Sequence, residues 1–109
     1  KIRKEEAGLD FREPAVKLER KIRAHNPSPG AYFKVNGQPF KVHAASVVQG
    51  KSAAPGTIVH RTKDRVDVQT GEDALSLLKV QPAGKKAMDI KAYLNGAGRN
   101  AFILEEKIA

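Results

Sequence analysis

Turn residues cut the chain at short intervals from Gly30 to Gly84, and between the cuts apolar residues recur at alternate positions. This restricts the middle of the molecule to short strands joined by tight turns. Ala31, Phe33 and Val35 alternate with Tyr32 and Lys34, and Asn36-Gly37 is a two-residue hairpin turn. The returning strand carries Phe40, Val42 and Ala44 on one face. Its alternation slips at the adjacent Val47 and Val48, which predicts a bulge near Ala45-Ser46. Pro55-Gly56, Lys63-Asp64 and Gly71-Glu72-Asp73 separate three further strands, marked by Ile58-Val59, Val66 and Val68, and Leu75 to Val80. The last is too apolar for an edge and is expected at the centre.

The strand region is flanked by helices. Pro14 suits a first helical position, and Ala15, Leu18 and Ile22 share one face. That helix should stop near His25, because Asn26 precedes Pro27 and is driven out of helical geometry. A short second helix is predicted after Asp89, with Ile90, Tyr93 and Leu94 inward and Gly96 at its end. Phe102, Ile103, Leu104 and Ile108 give the tail apolar surface with which to dock.

The chain is therefore expected to be mostly β: an OB-like five-stranded barrel with an N-terminal helix and a short C-terminal helix. An SH3-like barrel would give nearly the same pattern. Residues 1–13 read as an interdomain linker that becomes ordered near Leu9 and Phe11, and 14–109 as the domain. The 109 residues suffice for one core. Lys1 at the start, in place of Met, is read as the mark of a piece of a longer cytoplasmic protein.

Charge narrows the function. Twenty Lys and Arg against 12 Asp and Glu leave +8, and residues 89–109 contribute none of the surplus. An excess of this size on a small domain attracts a polyanion. With no Cys, disulfide scaffolds, thiolate metal sites and Cys nucleophiles are excluded. His25, His43 and His60 form no ligand pair at helical spacing, so neither a metal nor a catalytic site is expected. Gly84-Lys85-Lys86 resembles the end of a phosphate-binding loop, but Lys79 stands where its first glycine belongs and Lys86 where Ser or Thr would hold magnesium. It remains a mobile basic loop able to touch phosphate. Gly96-Ala97-Gly98 follows a helix and reads as helix termination. Lys17, Arg20 and Lys21 share a helix face, Lys34 and Lys41 flank the hairpin, and Arg61, Lys63 and Arg65 surround a turn. With no Trp and six aromatics, of which Phe11, Phe33 and Phe40 look core-facing, base stacking is expected to be minor.

An ordered set of short motifs then gives a family resemblance. Lys4-Glu5-Glu6-Ala7, Leu9-Asp10-Phe11, Leu18-Glu19-Arg20 and Ile22-Arg23-Ala24-His25-Asn26-Pro27-Ser28-Pro29-Gly30 come first. Gln38-Pro39-Phe40-Lys41-Val42, Ala54-Pro55-Gly56-Thr57-Ile58 and Leu77-Leu78-Lys79-Val80-Gln81-Pro82-Ala83-Gly84-Lys85-Lys86-Ala87-Met88 follow. Together they resemble the C-terminal domain of bacterial methionyl-tRNA formyltransferases over essentially the whole chain. The resemblance implies a parent enzyme that moves a formyl group from 10-formyltetrahydrofolate to the amino group of methionine on initiator methionyl-tRNA. Folate and chemistry would belong to an N-terminal catalytic domain, and this domain would hold no catalytic, cofactor-binding or metal site. Its own partners would be the tRNA and that catalytic domain, in a monomeric protein that touches no membrane. The resemblance adds Lys1, Arg3 and Lys4, near the acceptor end of the tRNA, to an RNA-binding set of Lys17, Arg20, Lys21, Lys34, Lys41, Lys85 and Lys86. The sequence departs from the family at Phe11, His25, Ser28 and His43, where Trp or Phe is frequent. The corresponding domain of another formyltransferase, a general RNA-binding barrel of the translation machinery and a purely structural domain are the alternatives.

Overall fold

The computed structural model describes residues 7–109. Helix α1 (Ala15–Ala24) starts after Pro14, whose extended backbone places it just outside the first turn, not within it. Ala15, Leu18 and Ile22 are buried on one face, as their spacing predicts. Lys21 and Arg23 occupy the last turn, where the carbonyl end of the helix favours cations. His25 closes it, its ring Nδ1 lying 2.9 Å from the carbonyl oxygen of Lys21.

The strands are β1 (Ala31–Val35), β2 (Gln38–Val48), β3 (Ile58–Arg61), β4 (Val66–Gln69), β5 (Ala74–Gln81) and β6 (Met88–Asp89). They form one antiparallel sheet in the order β1-β2-β5-β4-β3, with β6 also on β5. The architecture is mostly β, with the five expected strands and a two-residue sixth. Strand β5 is central. Asn36 and Gly37 both have positive φ, as a mirror-image two-residue hairpin requires, and Val35 pairs with Gln38 across it. The irregularity in β2 falls between Val42 and Ala45, slightly earlier than predicted. Helix α2 (Ile90–Asn95) buries Ile90, Tyr93 and Leu94 and ends at Gly96; Asp89 precedes it but makes no side-chain cap bond.

One core joins the inner faces of the strands to Leu18 and Ile22 of α1 and to α2. At its centre Phe40 and Phe102 meet each other, and each meets both Phe33 and Tyr93, with ring centroids 5.2 to 6.2 Å apart. Phe11 meets Phe33 edge-on at 5.3 Å, so the described end of the 1–13 stretch packs into the body. Both outer strands are covered. The Leu9 amide donates to Tyr32 O on the free edge of β1, and the tail closes on β3 through Ile58 N to Glu106 O and Glu105 N to Ile58 O. Covering unpaired strand edges removes a template for aggregation.

Candidate nucleic-acid interface

The hairpin register assembles the most distinctive surface of the molecule. Because β1 buries Ala31 and Phe33 and turns the partly buried Val35 the same way, Tyr32 and Lys34 stand on its outer face. Tyr32 lies opposite Lys41, and Lys41 lies opposite Gln81, so these three side chains form a row across β1, β2 and β5. Lys34 and Pro39 form the next row. Beyond Gln81 the chain turns through 82–86, and the space between this loop and the two rows is a groove of about 380 Å³. Lys34, Lys41, Tyr32, Pro39, Gln81 and Pro82 are among its walls, and no carboxylate among the described residues lines it.

The loop is held at its base. His43 Nε2 lies 2.8 Å from Gln81 Oε1, while Gln81 Nε2 donates to Lys85 O at 3.0 Å. Since the amide oxygen can only accept, the imidazole Nε2 carries the proton in this contact. Lys85 and Lys86 themselves are exposed, and Gly84 has the positive φ that the turn needs. None of Lys34, Lys41, Lys85 and Lys86 has an ion-pair partner among the described residues.

Other predicted cations are differently placed. Lys17 pairs with Glu13 at 2.8 Å, a contact that raises the ammonium pKa above its ordinary value. Lys21 donates to Gly8 O at 3.1 Å and lies 3.9 Å from the same Glu13, so it ties α1 to the N-terminal stretch. Arg20 is exposed on α1. Lys1, Arg3 and Lys4 lie outside the described residues.

The remaining basic cluster splits apart. Arg61 donates to the carbonyls of Ala101 (3.0 Å), Gly98 (3.1 Å), Arg99 (3.1 Å) and Thr62, clamping the segment after α2 onto β3. Arg65 makes a two-pronged pair with the buried carboxylate of Asp67, its closest contact 2.7 Å, and this contact raises the guanidinium pKa. Both are structural cations.

Sequence reasoning therefore found the lysines of the groove but not the row they belong to. Tyr32, His43 and Gln81 were missed as site residues. The alternation in β1 was a signal for Tyr32; nothing local signalled the meeting of Gln81 with His43.

No group of three His, Asp or Glu side chains among the described residues is arranged to hold a metal. Among the buried polar groups His25 keeps an unpartnered Nε2, while two others are spent within the fold. Gln69 is committed to Lys51 N, Thr70 O and Asp73 O, and Asp67 to Arg65. The Gly96-Ala97-Gly98 run also has a packing explanation, since a side chain at Gly98 would collide with the Tyr93 ring.

Fold and surface together define a small basic β domain with a groove that no carboxylate of the described residues lines. The chain belongs to the formyl transferase C-terminal domain family, whose model matches residues 1–98. Its fold is similar to part of HypX from Aquifex aeolicus in complex with tetrahydrofolic acid. That match has a TM-score of 0.72 and 20% identity, covering 97% of this chain and 19% of HypX. A multiply substituted variant of HypX gives a TM-score of 0.72 at 19% identity, covering 95% of this chain and 19% of that one. The chain thus spans about a fifth of the length of these structures.

Proposed function

We propose that this chain is the C-terminal accessory domain of a methionyl-tRNA formyltransferase and grips initiator methionyl-tRNA through its basic surface. The formyl transfer from 10-formyltetrahydrofolate takes place on an N-terminal catalytic domain outside this chain, in a cytoplasmic protein. The observation that carries the reading is a groove lined by Lys34 and Lys41, beside a loop that carries the exposed Lys85 and Lys86, with none of the four in an ion pair among the described residues. Lys17 and Arg20 lend weaker support from α1; Lys1, Arg3 and Lys4 complete the set from the sequence. A backbone grip of this kind positions RNA without reading much sequence. Discrimination of the initiator then falls to the catalytic domain.

Titration of the 109-residue chain with initiator and elongator tRNA over a salt series tests the reading. Each neutralised phosphate contributes a slope of about −0.7 to −0.9 in log K against log salt, and roughly four to six phosphates suit a module of this size. Similar, steeply salt-sensitive binding to both tRNAs is expected. Absence of binding at low salt overturns the reading in favour of a structural domain.

A further inference from the structure

The groove has two kinds of wall. Lys34 and Lys41 supply positive charge, while Pro39 and Pro82 supply apolar surface around the half-buried ring of Tyr32. A surface serving only to attract a duplex backbone needs neither the concavity nor the ring. Its volume of about 380 Å³ lies at the lower end of the range of about 300–1,000 Å³ typical of small-ligand pockets. That is room for a single nucleotide. A paired helix has no base free to enter, because its bases are stacked inside the duplex.

Resting on the RNA-gripping reading above, we propose that the groove receives one unpaired nucleotide of the bound RNA. Its base lies against Tyr32 and its phosphate between Lys34 and Lys41. The row Tyr32–Lys41–Gln81 sets this geometry: the ring and the ammonium are cross-strand neighbours on the same outer face, a spacing that suits a base and its own phosphate. Gln81 does not contact the nucleotide. It positions the far wall, because its amide is occupied by His43 and by Lys85 O. The site accepts any base, since every base offers a π-face, and it discriminates unpaired from paired RNA.

The test uses the full 109-residue chain with an oligouridine of about ten nucleotides and a blunt RNA duplex of matched charge. Tyr32→Ala should weaken oligouridine binding about 5- to 150-fold, the range set by base–aromatic stacking. It should leave duplex binding and the salt slope unchanged, and Tyr32→Phe should retain wild-type affinity. The backbone bond from Leu9 to Tyr32 O does not use the side chain, so edge coverage survives the substitution. A second readout is optical. The chain has no Trp and two Tyr, so Tyr93→Phe leaves Tyr32 as its one strong fluorophore. Oligouridine should quench it and the duplex should not. Salt-sensitive RNA binding with no loss in Tyr32→Ala and no quenching overturns the nucleotide site but leaves the accessory grip standing. Failure of every RNA to bind at low salt overturns both.

Discussion

The face built from β1, β2 and the 82–86 loop and the seam where the segment after α2 meets β3 both carry cations, yet they use them in opposite ways. At the seam, Arg61 spends its guanidinium on four backbone carbonyls, and nearby Arg65 spends its own on the buried Asp67. On the groove face Lys34, Lys41, Lys85 and Lys86 have no ion-pair partner among the described residues. Residue type follows the same division. The planar guanidinium fork can satisfy several carbonyls at once, whereas an ammonium on a flexible stem suits a mobile phosphate chain. Net charge therefore overstates the binding surface, and the useful quantity is the charge left after internal pairing.

The largest effect expected is at the seam. Arg61→Ala removes every tie between β3 and the 98–101 carbonyls that this side chain makes and should cost about 2–4 kcal/mol in chemical denaturation, allowing for its partial exposure. Arg61→Lys should recover little, because one ammonium cannot reproduce the fork. RNA affinity per folded molecule and its salt slope should be unchanged. A fall in the slope would place Arg61 on the binding surface and erase the contrast.

The seam was also the part least legible in the sequence. Hairpin, helix faces and central β5 followed from local pattern, because Asn36-Gly37 fixes its own register and Leu18 and Ile22 keep helical spacing. Arg61 meets carbonyls 37 to 40 residues away, and no local spacing marks such a contact. Strand β6 has only Met88 and Asp89, too few for any alternation to show. The groove was half legible: hairpin register places Tyr32 beside Lys41, but the third member, Gln81, arrives through the long-range pairing of β2 with β5.

On the other side of the comparison, Lys85→Ala with Lys86→Ala should lower the salt slope by up to about two units. Stability should change by less than about 0.5 kcal/mol, as is usual for exposed side chains without special contacts. This is the reverse of the Arg61 outcome, and the two variants together measure how cleanly the cations divide. An unchanged slope would remove the 82–86 loop from the interface and confine it to Lys34 and Lys41.

Gln81→Ala sharpens the contrast from within the groove. It leaves all four lysines in place but releases Lys85 O and His43 Nε2 from their shared partner. A stability loss of about 0.5–1.5 kcal/mol is expected, since both groups can turn to water. The salt slope should persist while affinity falls a few-fold, because a loosened loop loses order without losing charge. Equal affinity for wild type and variant would show that the loop needs no support from Gln81.

The smallest effect concerns an exposed pair that shows how little charge neutralisation alone contributes. Asp10 accepts from the backbone and the guanidinium of Arg12, and these bonds hold its carboxyl down to about 2, from an ordinary 3.8. Because the folded pKa is depressed, the folded chain binds fewer protons than the unfolded one between these values. The contact therefore stabilises fully above the unfolded pKa and is lost as pH falls through about 2. Asp10→Asn should flatten the acid limb of the stability–pH curve in that window and leave neutral-pH RNA binding untouched. An acid limb identical to wild type would mean that the Asp10–Arg12 contact does not persist in solution. A change in RNA binding would extend the functional face across the N-terminal stretch, and the division between committed and free cations would have to be redrawn there.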